Sequence, residues 1–295
     1  MRIYEYSFGE ILHSLRTTKG ISIEALSQGI CSEDDLILFE KEKKFPTLEQ
    51  LDQLTERLNL DLTYFFEMAS KNKQNYFVAV QELINKYKRE RNYKAIYEIV
   101  YREEENPSFQ HTSLKQFLLW HKGICIYYLE NNTDKAMKFL YQAIELTNSK
   151  RKDFSEREIE ILNSIGLILY ENKDFQNAKI TLNSALASLE KLPNIVDDRV
   201  VLKVLFSLSQ VLSELGSFEE SLQYSKKGIS HCINKELLYL FAEFHYQTGE
   251  NYIKLEEIEK GKNYIEESIK ILKLQGNEIF AQIFQEELEK LLSRC

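Results

Sequence analysis

Residues 163–185 read NSIGLILYENKDFQNAKITLNSA. Apolar side chains recur at three- and four-residue steps on either side of a polar break at 171–174, the pattern of two amphipathic helices joined by a tight turn. Gly166, Ala178 and Ala185 sit at fixed points in this pair, with Leu182 between the last two. The same points stay small along the C-terminal three-quarters of the chain. Gly123, Gly166, Ser209 and Gly249 mark the first helix of successive pairs, Ala136, Ala178, Ser221 and Gly261 mark the second, and Ala143, Ala185, Gly228 and Ser268 follow seven residues later. A whole unit therefore repeats every 40 to 43 residues.

Small side chains at such points let two helices approach closely, and Leu140, Leu182, Tyr224 and Tyr264 are expected to fill the space between them. Phe175 and Phe218 follow the hairpin turns, preceded by Asp174 and Ser217. This logic resembles that of tetratricopeptide repeats, although their unit is only about 34 residues, so helices or connections must be longer here. An all-α chain is implied, with about five hairpins in a right-handed superhelix over residues 76–295. The first hairpin is an irregular pair at 76–105 with Tyr93 and Ala95 at its turn, and a last helix near 277–292 caps the stack.

First helices of such a stack line a concave surface. Counting about three residues before each small marker and one and four after it, the inward positions are Trp120, Ile124 and Tyr127; Asn163, Leu167 and Tyr170; Phe206, Gln210 and Ser213; and Tyr246, Glu250 and Ile253. Lys203 and Glu243 lie one turn earlier, and Gln247 is next to Tyr246. Aromatic rings interleaved with amides suit a peptide, because amides bond both N–H and C=O groups of its backbone while rings bury its side chains. Ordinary repeat packing is the competing explanation for any one of these positions.

Ahead of a polar stretch at 69–75, read as a linker, residues 1–68 form a different unit. Its periodicity predicts five short helices. Ser7 caps the first, which ends at Lys19-Gly20; Ser22 caps the second; after a turn at Cys31, Ser32 caps the third, with Asp35 placed to complete a capping box. Thr47 caps a fourth helix carrying Leu48, Leu51, Leu54 and Leu58, and Asp61 caps a brief fifth ending near Phe66. Two short helices meeting at a turn and flanked by packing helices form a helix-turn-helix layout.

The string Leu15-Arg16, Lys19-Gly20, Ser22, Leu26-Ser27, Cys31-Ser32, Leu36, Phe39-Glu40, Pro46, Leu51, Leu54, Leu58-Asn59-Leu60 resembles the Xre, or phage-repressor, type of this module. The resemblance implies double-stranded DNA as partner. The helix begun by Ser32 would lie in the major groove, exposing Glu33, Asp34 and Ile37, while Arg16, Lys19, Ser22, Lys41, Lys43, Lys44 and Thr47 would meet phosphates. The chain departs from that pattern in opening the recognition helix with Ser32-Glu33-Asp34-Asp35, and residues 1–68 carry 7 Lys and Arg against 13 Asp and Glu. Carboxylates there lower nonspecific affinity for DNA.

Composition narrows the alternatives. Ten Gly and three Pro, the latter at 46, 107 and 193 between helical stretches, argue against a turn-rich β protein, and 17 Phe with 17 Tyr supply core material. Cys31, Cys125, Cys232 and Cys295 are scattered, and Met1-Arg2-Ile3-Tyr4-Glu5 does not read as a secretory leader, so a reduced cytoplasmic chain is expected. No apolar run approaches the ~20 residues of a membrane span, which argues against a membrane role. There is no Gly-rich phosphate loop, HExxH, G-x-S-x-G or CxxC, so neither an enzyme nor a cofactor is expected. His111 with His121, and His231 beside Cys232, do not place two ligands on one helical face, and no metal is expected.

Helix-turn-helix and repeats together, with Arg91-Asn92-Tyr93-Lys94-Ala95-Ile96-Tyr97, Gln116-Phe117-Leu118-Leu119-Trp120, Phe218-Glu219-Glu220-Ser221-Leu222 and Tyr246-Gln247-Thr248-Gly249-Glu250, resemble the PlcR-like quorum-sensing regulators of Gram-positive bacteria, the Rap, Rgg, NprR, PlcR and PrgX group. That resemblance implies a homodimer held by its repeats, bound to a palindromic operator and switched by a short signalling oligopeptide. Asn163 matches a peptide-holding Asn of the group, whereas Ser207 stands where a second such Asn is expected. The alternative is a scaffold protein whose helix-turn-helix no longer binds DNA.

Overall fold

The computed structural model describes residues 8–293, apart from the side chains at positions 63, 66, 67 and 69–75. Among the described residues the chain is all helical, with fifteen α-helices and one short 3₁₀ turn at Pro107–Phe109. It divides into two compact units, Met1–Asn92 and Tyr93–Cys295.

In the first unit α1 (Phe8–Thr18), α2 (Ile23–Ser27), α3 (Glu33–Glu40), α4 (Leu48–Arg57) and the start of α5 (Leu62–Arg89) surround one core. That core is Ile11, Leu12, Leu26, Leu36, Phe39, Leu51, Leu54, Leu58 and Phe65. Ser22, Ser32, Thr47 and Asp61 each accept a bond from the backbone N–H three residues on, satisfying one of the amides that a helix start leaves unpaired. Ser7, expected to cap α1, lies outside the described residues. A reciprocal capping box forms at Thr47 and Gln50 but not at Ser32, because the Asp35 carboxylate takes Lys44 instead at 2.7 Å. Gly9 is forced to be small: a Cβ there would stand 2.5 Å from the Glu40 carbonyl oxygen.

The fifth helix is not brief. α5 continues through 69–75 to Arg89, and the division between units falls after Asn92, inside the turn expected for the first hairpin. Polar residues without an apolar stripe are compatible with a helix whose ends are fixed elsewhere, since Lys, Gln and Ala all have good helix propensity.

The second unit contains α6 (Tyr93–Glu104), α7 (Thr112–Glu130), α8 (Thr133–Glu145), α9 (Glu156–Glu171), α10 (Phe175–Leu189), α11 (Asp198–Glu214), α12 (Phe218–Asn234), α13 (Phe241–Lys254), α14 (Ile258–Leu274) and α15 (Glu278–Leu292). The pairs α7/α8, α9/α10, α11/α12 and α13/α14 are hairpins, and each first helix also touches the next first helix, from α7 through α9, α11 and α13 to α15. The extra length of the repeat lies in the connections between hairpins, as at 146–155 and 190–197. These are tied by side chains: the Glu156 carboxylate accepts from the Val196 and Asp197 amides at 2.8 and 2.9 Å, and buried Glu158 accepts from Thr147, Asn148 and the Ser155 amide.

The small-residue register is where hairpins close. A Cβ on Gly123 would meet Leu140 at 2.9 Å, and one on Gly166 would meet Leu182 at 2.7 Å. In the third hairpin, Ser221 donates to the Ser209 carbonyl at 2.5 Å. In the fourth the backbones themselves meet: a Cβ on Gly249 would stand 2.5 Å from the Gly261 carbonyl oxygen, and one on Gly261 2.6 Å from that of Gly249. Ile265 rather than Tyr264 fills this last gap, while Tyr264 stacks on Tyr252 at 5.6 Å.

Replacing Gly249 by Ala would gain up to about 1 kcal/mol of helix propensity but drive a methyl into a carbonyl that cannot rotate away. Gly249→Ala is expected to destabilise the chain by roughly 1–3 kcal/mol in urea unfolding. Gly123→Ala, whose methyl would meet the Leu140 side chain at 2.9 Å and a backbone carbonyl, that of Ala136, only at 3.1 Å, should cost less.

Candidate functional site

The helix-turn-helix face presents two sets of residues. Glu33 and Asp34, in the first turn of α3, are exposed, and Ile37 is half-buried. Lys19, Ser22, Ser32, Lys41, Lys43, Lys44 and Thr47 are also exposed. Gln50 Nε2 donates to the Ile30 carbonyl at 3.4 Å, which sets the first turn of α4 beside the turn between α2 and α3. Lys44 is neutralised by Asp35, while Lys41 and Lys43 make no ion pair among the described residues. Phe45 in the segment after α3 and Leu48 at the start of α4 are exposed at 68% and 66%, although Leu48 shares the helical spacing of the buried Leu51, Leu54 and Leu58.

Arg16 does not belong to this face. It is 8% exposed, and its guanidinium grips Glu40 through Nε at 2.5 Å and Nη2 at 2.9 Å while Nη1 donates to the Ile21 carbonyl. His13 adds a contact to Glu40 at 2.7 Å. Burial alone would raise the Glu40 carboxyl, but hydrogen bonds from Arg16 and His13 and the Arg16 charge hold it below its ordinary value. Arg16 is raised by its bond to Glu40. The pair ties α1 to the end of α3 across 24 residues of sequence, a partner that no local pattern reveals.

In the second unit the 40- to 43-residue register lines up four rows along the first helices: Phe117, Glu160, Lys203 and Glu243; Trp120, Asn163, Phe206 and Tyr246; Ile124, Leu167, Gln210 and Glu250; and Tyr127, Tyr170, Ser213 and Ile253. Side-chain bonds join neighbouring helices along these rows. Trp120 Nε1 donates to Ser164 Oγ at 2.9 Å, Arg157 to the Ser113 carbonyl at 2.9 Å, Lys203 to Glu160 at 2.5 Å, Tyr128 to Glu171 at 2.7 Å, Lys254 to Ser213 at 2.9 Å and Tyr246 to Glu287 at 3.1 Å. Ser164, Arg157, Glu160, Glu171 and Glu287 were not among the expected site residues, although Glu160 lies one repeat before Lys203.

Burial sorts the expected wall. Trp120, Ile124, Tyr127, Ser207, Gln247 and Ile253 are buried, so their side chains serve the packing between helices rather than an open surface. Ser207 is a buried residue of α11. Asn163, Leu167, Tyr170, Lys203, Phe206, Gln210, Glu243, Tyr246 and Glu250 remain partly open. Asn163 Oδ1 is buried and has no hydrogen-bond partner among the described residues. Lys203 would be lowered by burial, yet the Glu160 charge beside it carries it above its ordinary value. Burial pushes the Glu243 carboxyl up. Burial, reinforced by Glu214, Glu250 and Glu171, pushes the Tyr170 phenol up to about 12.

Among the described residues no group of three His, Cys, Asp or Glu is arranged to hold a metal ion, and no helix is long and apolar enough to cross a membrane. Cys31, Cys125 and Cys232 are free thiols.

A family model described as the RNPP family C-terminal domain matches residues 81–293. No curated protein sequence matches the chain. Among solved structures, Bacillus thuringiensis PlcR in complex with the peptide PapR7 and DNA is similar over 95% of this chain and 99% of its own, with a TM-score of 0.76 and 21% identity. ComR from S. thermophilus, in complex with DNA and its signalling peptide ComS, is similar over 97% and 99%, with a TM-score of 0.67 and 14% identity. The Streptococcus dysgalactiae SHP pheromone receptor Rgg2 covers 96% and 99%, with a TM-score of 0.60 and 16% identity. At these identities the likeness is one of fold, and it extends over both units.

The Arg16–Glu40 pair yields a test. A carboxyl lowered in the folded state contributes stability that is complete above the unfolded pKa and is lost as pH falls through the lowered folded value. Arg16→Met, which leaves Glu40 buried without its cation, is expected to cost roughly 3 kcal/mol at neutral pH. In urea unfolding, the gap between variant and parent should narrow in acid as Glu40 becomes protonated.

Proposed function

The chain belongs to the RNPP family, and from that membership together with its groove and helix-turn-helix we propose that it is a DNA-binding transcription regulator controlled by a short signalling peptide. Residues 1–68 are the DNA-binding part, and residues 76–295 hold the peptide and form a homodimer. The similar PlcR and ComR structures each contain DNA and a peptide, which supports carrying both partners over. The chain acts in the cytoplasm, where operator and re-imported peptide meet, and it is a regulator rather than an enzyme.

One observation carries the peptide reading: the buried Asn163 Oδ1 without a donor, on the partly open wall of the first helices. An unsatisfied buried acceptor costs about 1–3 kcal/mol, and a backbone N–H of a bound peptide removes that cost. The expected contacts are Asn163, Leu167, Tyr170, Lys203, Phe206, Gln210, Glu243, Tyr246 and Glu250. Peptide binding switches DNA affinity by favouring one curvature of the stacked hairpins over another, which requires different affinities for the two.

On DNA, Lys41 and Lys43 serve as phosphate contacts beside the helix N-termini capped by Ser22 and Thr47, with α3 reading base edges. Glu33 and Asp34 accept from cytosine amino groups there, so they restrict sequence while weakening nonspecific binding.

Gel-shift titration with DNA from beside the gene, at several salt concentrations and with candidate peptides encoded nearby, tests the whole reading. Lys41→Glu with Lys43→Glu should weaken binding to all DNA sequences alike and reduce the salt slope by about one per lost phosphate contact. Asn163→Ala should leave DNA affinity intact and abolish the peptide response. Absent or salt-independent DNA binding would instead identify a scaffold.

A further inference from the structure

We infer that Trp120 is a positioning residue for ligand binding: its indole, anchored in α7, fixes the rotation of α9 so that Asn163 presents its amide to the groove. The role rests on the peptide-groove reading above and adds to it a buried residue that acts through its neighbour.

Trp120 stands in the same row as Asn163 but is only 5% exposed. Its ring packs among the rings of α7 itself, edge-on to Phe117 with centroids 6.3 Å apart and 4.5 Å from His121. Any large apolar ring could fill that space. What only the indole supplies is its N–H, and this leaves α7 altogether: Nε1 donates to Ser164 Oγ on α9 at 2.9 Å, across 44 residues of sequence. The Ser164 hydroxyl spends its own proton on the Glu160 carbonyl one turn earlier, at 3.0 Å, which turns its lone pairs to the indole.

Ser164 directly follows Asn163, so this bond acts on the very turn that carries the unpartnered Oδ1. From the other side, Lys203 of α11 holds the Glu160 carboxylate at 2.5 Å. Glu160 and Ser164 are one turn apart with Asn163 between them, and α9 is therefore held by α7 at one of these positions and by α11 at the other. Asn163 Oδ1 has no partner of its own among the described residues, so its direction is inherited from the helix. A rotation of α9 by about 20° would carry a head group about 6 Å from the axis through about 2 Å, more than a hydrogen bond tolerates. The other bonds from α9 to α7 lie farther away. Arg157 donates to the Ser113 carbonyl at 2.9 Å nearly two turns before Asn163, and Tyr128, at the exposed end of α7, donates to Glu171 at 2.7 Å more than two turns after it. Water competes for the Tyr128 bond but not for that of the buried indole.

The test uses a heptapeptide selected by the full-length chain from a random synthetic library lacking Trp, then labelled with fluorescein and titrated by anisotropy. Trp120→Phe keeps a ring and removes the donor. Ser164→Ala keeps the indole and removes the acceptor, and as a change to a better helix former it leaves α9 intact. The two lesions differ, and what they share is the lost bond. Each should weaken peptide binding about three- to tenfold, the scale of one hydrogen bond, and the double variant should bind no worse than the weaker single one, since a bond is lost only once. Tyr128→Phe, which removes a bond between the same two helices away from Asn163, should bind as the parent does. Trp120 is the chain's single tryptophan, so its emission in the parent should change as unlabelled peptide saturates the groove, a signal that an indole serving packing alone would not give. Parent-like affinity in both Trp120→Phe and Ser164→Ala, an equal loss in Tyr128→Phe, or emission that ignores the peptide each overturns the inference and leaves the groove reading standing. If no heptapeptide is retained at all, the groove reading falls and takes this role with it.

Discussion

The contact on which the repeat unit depends is the crossing of two helix backbones at Gly249 and Gly261, where each residue's missing side chain makes room for the other's carbonyl. The other hairpins relax the same constraint by degrees. Gly123 and Gly166 accept a leucine side chain, and Ser209 and Ser221 replace steric fit by a hydrogen bond from hydroxyl to carbonyl. Because the crossing is fixed in each hairpin, the first helices are held at the same depth, and residues one repeat apart fall into rows. The alternation of buried and partly open positions over 201–210 recurs without change over 241–250. A wall with that regularity is a consequence of backbone proximity, and the side chains facing outward from it were free to acquire chemistry.

The N-terminal unit solves a different problem. Its acidic balance opposes a partner made of phosphate. Arg16 and Glu40 cancel inside the fold and Lys44 and Asp35 cancel on its surface, which leaves that surplus unchanged, so a phosphate partner depends on where the remaining charges lie, with Lys41 and Lys43 exposed between α3 and the capped start of α4. The close approach of Gly9 to the Glu40 carbonyl serves the same interface between α1 and α3 as the ion pair. Removing either member would therefore loosen the helix that precedes the basic segment.

How much was legible in the sequence follows from how local each cause is. Caps at Ser22, Ser32, Thr47 and Asp61 were readable because a cap bonds an amide three residues away. The small-residue register was readable because it repeats. The burial of Arg16 was not, since its partner lies 24 residues away on another helix, and neither was that of Trp120, whose indole reaches Ser164 across 44 residues. The polar stretch at 69–75 hides its helix for a third reason: continuity there needs no apolar face, so the absence of periodicity does not mark a break. The wall expected on the first helices is partly packing, with Ser207 and Gln247 buried.

The two kinds of contact also differ in stiffness, and this bears on how a ligand can act. Within a hairpin the helices meet at glycine, alanine or serine, where any displacement runs into a carbonyl or opens a void, and such close-packed contacts resist small motions. Between hairpins the first helices are joined to one another by side chains such as Lys203 with Glu160 and Tyr246 with Glu287, whose bonds are each worth roughly 1 kcal/mol and can be exchanged for bonds to water or ligand, whereas α12 and α13 pack closely, with Phe244 against Gly228 and Thr248 bonded to Ser225. Compliance is thus concentrated along the partly open rows of the first helices. A molecule that engages α9, α11 and α13 together competes for these same groups and sets the spacing of three hairpins at once. Its binding energy is then spent where the stack yields most easily, which is the physical condition for coupling a small ligand to a change of curvature.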